Sequence, residues 1–483
     1  MSFISDSFFQ FSNTINGEAR SGSKVTQAVN PSNKQLLWNV PVATEDDLNG
    51  AVAAAAAAFP SWSQTPWGER GKLLLQVSET LKANLKEMAS LGMQETGKPI
   101  NYATTEVEHS LSFLTYHGNH PELAPKTVED NDNFKLTVRY SPIGVVAAIC
   151  PWNYPLVLAI SKIAAALITG NCVIVKPSPF TPYSILKFTE LVQSIFPPGV
   201  IQAVNGDDMA GPFLCDHPGV QKISFTGSIS TGKKIMAAAS RTLKRITLEL
   251  GGNDACIVCP DVDIGVAAPQ IAVGSFLNSG QFCMGSKRIY VHKDIYRPFM
   301  QAITDVVKSW KVTPSTSEAD NTLGPVQNEM QYNIVKRFFE DSYTFALGEG
   351  TVPDSDSFVI RPAIIDNPPD KSRIVTEEPF GPIVPLLSWT DEDEVIRRVN
   401  DTNTGLGGSI WSADVERADR LAQRIDTGTV WINSRPKPLP MGYLAGRKES
   451  GLGGEWGTEG LFSYCNTQTV HLYRTVAPRP TKV

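Results

Sequence analysis

Between residues 143 and 250 short strand-like runs, the first of them apolar throughout, alternate with segments of helical character, and this alternation constrains the fold more than any other feature of the chain. Gly144-Val-Val-Ala-Ala-Ile-Cys150 is apolar throughout, as a strand buried on both faces requires. A helical stretch over about 157–167 follows, then Cys172-Val-Ile-Val-Lys176, then a helix over about 183–195. Val200-Ile-Gln-Ala-Val204, Lys222-Ile-Ser-Phe-Thr226 and Arg245-Ile-Thr-Leu-Glu249 continue the pattern, with a helix over about 231–239 before the last run. Strands and helices at this spacing form right-handed βαβ units, which place their strands in one parallel sheet. The segment reads as a doubly wound nucleotide-binding unit.

The dinucleotide fingerprint Gly-x-Gly-x-x-Gly is absent. In its place Phe225-Thr-Gly227-Ser228-Ile-Ser-Thr-Gly232-Lys233 follows a strand and opens a helix. Glycines at such a junction let backbone amides approach a pyrophosphate, whose charge a helix N-terminus favours. A plain strand-to-helix turn is the alternative reading, and the spacing does not fit a Walker loop.

A second α/β pattern occupies about 252–446, with runs at Arg288-Ile-Tyr-Val291, Pro382-Ile-Val-Pro-Leu-Leu387 and Thr429-Val-Trp-Ile432. At 483 residues the chain exceeds one ordinary core, so two or three packed units are expected. The alanine run within 46–59 and the amphipathic stretch over about 69–97 predict helices, the latter ending at Gly97-Lys-Pro99. Residues 121–132 are polar, with prolines and acids, in the manner of an exposed ribbon. Gln468-Thr-Val-His-Leu-Tyr-Arg474 alternates like a strand, and its edge needs pairing. Residues 134–140 are the expected partner, with a second subunit beyond them.

Apolar residues make up 42% of the chain and charged residues 19%, the balance of a globular protein. A net charge of −6 leaves no polyanion-binding footprint, so nucleic acid is not an expected partner. No apolar run reaches the length of a membrane span. The N-terminal residues carry neither a basic n-region nor an Arg-rich amphipathic pattern, and a cytoplasmic location is the expectation. Cys150, Cys172, Cys215, Cys256, Cys259, Cys283 and Cys465 are an odd set and fit reduced thiols. Cys256-Ile-Val-Cys259 lies in an apolar, strand-like run with no second pair, so no metal site is expected.

The chemistry-bearing candidates are Cys283, within Phe276-Leu-Asn-Ser-Gly-Gln-Phe-Cys283-Met-Gly-Ser-Lys-Arg288, and the upstream Glu249-Leu-Gly-Gly-Asn253. A thiol supplies a soft nucleophile, and a carboxylate can activate water in a later step. Alone, each has an ordinary alternative: a small buried hydrophobe and a solvated surface charge.

Pro151-Trp-Asn-Tyr-Pro155, Lys176-Pro-Ser, Phe225-Thr-Gly-Ser228, Glu249-Leu-Gly-Gly252, the cysteine segment 276–288, Glu378-Pro-Phe-Gly-Pro382 and Lys448-Glu-Ser-Gly451 occur in that order. The ordered set resembles the aldehyde dehydrogenase superfamily over nearly the whole chain. The resemblance implies an α/β fold with a Rossmann-type NAD(P)-binding domain over 1–120 and 142–251. It further implies an α/β catalytic domain over 252–446 and a small β oligomerisation arm over 121–141 and 462–483. It implies NAD- or NADP-dependent oxidation of a small-molecule aldehyde to the acid, by a homodimer or homotetramer. Cys283 is then the nucleophile, Asn153 the oxyanion donor and Glu249 the base for water, with Lys162 and Glu455 coupled to it as a proton path. Lys176 holds the adenosine ribose, with Ser178 and Pro179 as further cofactor-binding positions. Gly227, Ser228 and Gly232 shape the pyrophosphate turn, Trp152 lies alongside the dinucleotide, and Glu378 with Phe380 positions the nicotinamide ribose and ring. A CoA-acylating enzyme and a catalytically silent relative are the alternatives. Glu249, which would activate water, weighs against the first, and intact Cys283, Asn153 and Glu249 weigh against the second.

The chain departs from the family pattern at three places. Pro179 stands where a glutamate often grips the ribose hydroxyls, so NADP is expected to be tolerated. Leu444, within Tyr443-Leu-Ala-Gly446, replaces an aromatic that usually walls the substrate tunnel, and Ser161 stands where some members have another. Both predict a wider tunnel unless Tyr154 or Phe282 fills it. Arg435-Pro-Lys437 lies near the expected entrance, where an arginine either receives a carboxylate-bearing aldehyde or is a solvated loop charge.

Overall fold

The computed structural model describes residues 6–349 and 356–475. The apolar runs of 143–250 form the centre of an eight-stranded sheet. Ile201–Ala203, Cys172–Lys176, Val145–Ile149, Lys222–Thr226 and Arg245–Glu249 lie side by side and parallel. Val145–Ile149, Cys172–Lys176 and Lys222–Thr226 are buried at every position, because helices cover both faces. The crossovers are Pro155–Ile168, Tyr183–Val192, Ala210–Asp216 and Ile229–Ala239. Asn13–Ile15 and Glu18–Arg20 extend one edge antiparallel. At the other edge Gly451–Leu452 returns from far downstream, placing Gly451 opposite Glu249.

The register of this sheet is what gathers the candidate residues. Ile149 pairs with Lys176 and with Phe225, and Thr226 pairs with Glu249. The segments that begin at Cys150, Pro177, Gly227 and Leu250 therefore leave the sheet at one carboxyl edge, where open α/β sheets bind ligands.

A seven-stranded sheet forms the second layer system, with Ala363–Asp366, Ile383–Trp389, Arg288–His292, Ala255–Val258, Gly407–Trp411 and Thr429–Ile432 parallel. Phe345–Leu347 pairs antiparallel at its edge. Cys465–Tyr473 pairs antiparallel with Phe134–Pro142, from Cys465 opposite Pro142 to Tyr473 opposite Phe134. Lys126–Asp130 lies on the far side of Phe134–Pro142. The expected pairing of these two segments is present; residues 1–5, 350–355 and 476–483 of the expected domains lie outside the described residues.

Two local expectations are corrected, and one element was not expected. The helix expected over 69–97 is two helices, Trp67–Ala83 and Leu85–Thr96. At the break the Asn84 amide donates to Thr80 O at 2.8 Å, a side-chain bond that competes with the helical ladder. The second helix ends where expected, with Gly97 at φ +74°, the left-handed cap that glycine adopts without strain. The helix expected from 231 starts at Ile229, because Ser228 accepts from Thr231 N–H at 3.2 Å as its N-cap. The crossover Ala210–Asp216 had no counterpart in the sequence reading. No helix among the described residues is long and apolar enough to cross a membrane.

Candidate active site

Cys283 sits on the turn between Leu277–Gly280 and the strand Arg288–His292. That turn is tightly specified. Asn278, Ser279 and Gly280 all have φ near +55 to +75° (54°, 55° and 75°), and a Cβ on Gly280 would lie 2.1 Å from Gly381 O. Only glycine allows this approach between the cysteine turn and the 378–382 loop. Asn153 locks the other side: its Nδ2 donates to Gln281 O, and Asn278 Nδ2 donates to Asn153 O, each at 3.1 Å. Asn153 is buried. One of its amide protons faces Gln281, which leaves the second for a ligand.

The Cys283 thiol is half-buried and free. Burial pushes it up to about 12, with Lys287 pulling it down and Glu378, Asp254 and Glu249 adding to the rise. A nearby cation is therefore what favours the thiolate here. Asp254, buried beneath the turn, is itself pushed up to about 7 by burial, against the Lys287 charge.

Glu249 ends the strand Arg245–Glu249 and is buried, and neither of its carboxylate oxygens has a hydrogen-bond partner among the described residues. Burial holds its carboxyl well above the usual range, Glu455 raises it further, and Lys162 opposes both. Lys162 and Glu455 are a buried ion pair rather than the exposed one that charge alone would suggest, with side chains 0% and 4% exposed. Lys162 Nζ also donates to Thr226 Oγ1 at 2.8 Å, and Ser224 Oγ donates to Glu455.

On the other side of the carboxyl edge, a cleft of about 460 Å³ is lined by Trp152, Lys176, Ser178, Pro179, Gly227 and Ser228, together with Asp207 and Asp208. Lys176 is buried, and desolvation lowers its ammonium below the usual lysine range. Gly232 does not line the cleft. A Cβ there would lie 2.6 Å from Leu250 Cδ2, so this glycine lets the helix close on the sheet edge. Glu378 and Phe380 reach the site from the second sheet's side. The Phe380 ring meets Trp152 edge-to-face at 5.5 Å. Phe380 has φ +50° and its loop is held by Gln331, whose Nε2 donates to Pro379 O and Phe380 O at 2.9 and 3.2 Å.

Tyr154 packs edge-to-face on Phe282 at 5.6 Å, with Lys98 Nζ 3.9 Å from the Tyr154 ring centroid. These rings occupy the neighbourhood of the thiol, while Leu444 is buried and Ser161 bonds back to Leu158 O at 3.1 Å. Arg435 packs beside Gly274, whose added Cβ would lie 3.1 Å from Arg435 Cβ. Among the described residues it makes no ion pair with a carboxylate.

Sequence reasoning did not single out Lys287, Asp254, Gln281, Gln331, Ser224 or the Asp207–Asp208 pair. Lys287 carried a signal, a cation four positions after the cysteine; the others become partners only through the tertiary fold.

The aldehyde dehydrogenase family model matches residues 18–470. Aldehyde dehydrogenase LUC3 of a Fusarium species is 41% identical over 473 residues, covering 97% of this chain and 100% of that protein. Retinaldehyde dehydrogenase 3 of Homo sapiens is 34% identical, covering 94% of this chain and 90% of its own. The structure of betaine aldehyde dehydrogenase from Staphylococcus aureus in complex with NAD+ matches with a TM-score of 0.92 and 32% identity, over 96% of this chain and 95% of that one. An NAD+ complex of aldehyde dehydrogenase from Bacillus cereus matches at 0.94 and 30%, over 97% and 98%. With this fold and its matches over almost the full length, the chain belongs to the aldehyde dehydrogenase family of oxidoreductases.

Proposed function

We propose that this protein oxidises an aldehyde to its free carboxylic acid with NAD or NADP, through a thiohemiacetal and a thioester on Cys283. The observation that carries this reading is Glu249. A buried carboxylate with no hydrogen-bond partner among the described residues, within electrostatic reach of a half-buried thiol, has the environment of a general base for water.

The cleft has the donor chemistry a dinucleotide needs. Lys176 supplies a buried ammonium, and the 11-residue helix Ile229–Ala239 opens beside Gly227 and Ser228, where its first amides favour a pyrophosphate. Lys176 and Ser178 would hold the adenosine ribose with Pro179 beside it. Trp152 would flank the cofactor, and Glu378 with Phe380 would hold the nicotinamide half. Bound there, NAD or NADP would supply the hydride acceptor that the oxidation needs.

The chain's own residues do the rest. The Cys283 thiolate attacks the aldehyde carbon, and the developing alkoxide accepts hydrogen bonds from the Asn153 side-chain amide and the Cys283 N–H. After oxidation, Glu249 takes a proton from water as the hydroxide adds to the thioester; the C–S bond then breaks, releasing acid and thiolate. Lys162 and Glu455 carry the proton onward. Cofactor-binding and catalytic domains over 1–120 with 142–251 and over 252–446 belong to this reading. So do a cytoplasmic location and a homodimer or homotetramer joined through the arm of 121–141 and 462–483.

The test is a panel of aldehydes with NAD and with NADP, with and without CoA, followed through the absorbance of the reduced cofactor, with Cys283→Ala as blank. Reduced cofactor should form without CoA and not form in the blank. Formation only when CoA is present would overturn the hydrolytic reading.

A further inference from the structure

Lys287 is almost fully buried and faces three acceptors at once. Its Nζ lies 2.8 Å from Phe282 O, 2.6 Å from Cys283 O and 3.0 Å from a Glu378 carboxylate oxygen. An ammonium has three protons and no acceptor capacity, so this set saturates it. The lysine backbone is itself fixed, since its N–H donates to Asp254 O at 2.9 Å and the next residue opens the strand Arg288–His292. The side chain therefore reaches from a rigid sheet back to the nucleophile turn.

Peptide geometry gives this clamp a consequence at the reacting centre. The chain has no cis peptide bonds among the described residues, and in a trans peptide the C=O and N–H point in opposite directions. Phe282 O is held by Lys287 and also by Gly285 N–H at 3.0 Å. The Cys283 N–H of the same peptide is thereby turned away from the lysine, and among the described residues no acceptor takes it. Flipping that peptide would break both bonds, one of them charge-assisted.

The third contact joins the turn to the loop that carries Glu378. Gly280 and Gly381 already bring the two segments together, and the Lys287–Glu378 ion pair, with side chains 5% and 21% exposed, closes the link.

We propose that Lys287 is a positioning residue: it holds the 282–283 peptide with the Cys283 N–H free for the substrate oxygen and ties that turn to the Glu378 carboxylate. This rests on the Cys283 mechanism given above. The same ammonium is the cation acting on the thiol against burial, Glu378, Asp254 and Glu249. One side chain thus serves the oxyanion donor, the nucleophile and the cofactor loop.

The test uses Lys287→Met and Lys287→Gln with three readouts on the full-length enzyme. These are aldehyde oxidation, cofactor-free hydrolysis of a p-nitrophenyl ester, and the pH profile of Cys283 alkylation by iodoacetamide, with Cys283→Ala as blank. Both enzymatic reactions use the same oxyanion donor, so Lys287→Met should lower kcat/KM for both by a similar factor of about 100. Its alkylation profile should move to higher pH. Lys287→Gln keeps a neutral donor for Phe282 O, and should recover part of the ester hydrolysis but not the alkylation profile. Both activities remaining within about threefold of wild type would overturn the proposal, since that is well under 1 kcal/mol of barrier. Loss of aldehyde oxidation alone would also overturn it, because that marks a purely cofactor-side role. If Lys287→Met does not fold, the test rests on Lys287→Gln, for which both activities within about threefold of wild type together with an unmoved alkylation profile would overturn the proposal. A wild-type enzyme without Cys283-dependent activity would defeat the underlying mechanism, and a wild-type enzyme that is active while the variants are unaffected would defeat only this inference.

Discussion

Lys162 and Glu455, on segments almost three hundred positions apart in sequence, form a two-point buried ion pair, with Nζ 2.6 and 2.8 Å from the two carboxylate oxygens. The pair is coupled electrostatically to Glu249, whose carboxyl Glu455 raises and Lys162 lowers. Stability and chemistry therefore meet at the same two side chains. Lys162→Met would leave Glu455 buried and uncompensated, an error that costs about 3–5 kcal/mol. The melting temperature should fall clearly in a thermal scan, and Lys162→Met with Glu455→Gln together should recover most of the loss. A single variant as stable as wild type would contradict the buried pair.

The raised carboxyl of Glu249 sets the sign of two pH effects. Only the carboxylate can take a proton from water, so turnover limited by thioester hydrolysis should fall as pH drops through the raised value, above the ordinary carboxylate range. For stability the direction is opposite. A group whose folded pKa lies above its unfolded one favours the folded state at low pH, and that contribution is lost as pH rises through the folded value. Glu249→Gln should therefore gain stability over wild type at neutral and higher pH. The difference should shrink below the ordinary carboxylate range, as denaturant melts at several pH values would show.

Pro179 lines the cleft beside Lys176, with no carboxylate of its own to reject a 2′-phosphate. Wild-type enzyme should discriminate between NAD and NADP by less than about 100-fold in kcat/KM, which is under about 3 kcal/mol. Pro179→Glu should raise the preference for NAD. Asp207 and Asp208 also line the cleft. A strong wild-type preference for NAD would move the discriminating charge to them.

Arg435 bears on Tyr102, whose phenol burial raises while the Arg435 charge opposes the rise. A guanidinium without a carboxylate partner is free to pair bidentately with an anionic substrate. Arg435→Ala should raise KM for carboxylate-bearing aldehydes by about tenfold, or about 1.4 kcal/mol, and leave neutral aldehydes unchanged. Equal KM values before and after the substitution for both classes would make Arg435 a solvated loop charge.

Much of this was legible in residue patterns. The strands Cys172–Lys176, Lys222–Thr226 and Arg245–Glu249 begin and end where the corresponding sequence runs do; the first two are buried at every position, and burial of the third begins at Thr247. Ala210–Asp216 was not legible: seven residues containing Gly211 and Pro212 are too short for a helical period to emerge. The break at Asn84 depends on one side-chain bond that a smooth amphipathic pattern conceals. That Lys162 and Glu455 form a buried ion pair was not legible, since burial of such a pair is decided by what the fold stacks around it. Lys287 was in plain view beside the cysteine, yet its three partners come from two separate loops. The two-residue strand Gly451–Leu452, which seals the edge beside Glu249, has no local signal at all.

The division of labour between Cys283 and Glu249 is tested most directly by a single-turnover experiment on Glu249→Gln, mixed with aldehyde and excess cofactor and followed by reduced-cofactor absorbance and intact-protein mass. One equivalent of reduced cofactor should form per active site, turnover should then stall, and the protein should carry the acyl group on Cys283. Steady turnover at the wild-type rate, or a burst with no acyl adduct, would contradict the assignment of Glu249 as the base that releases the acid.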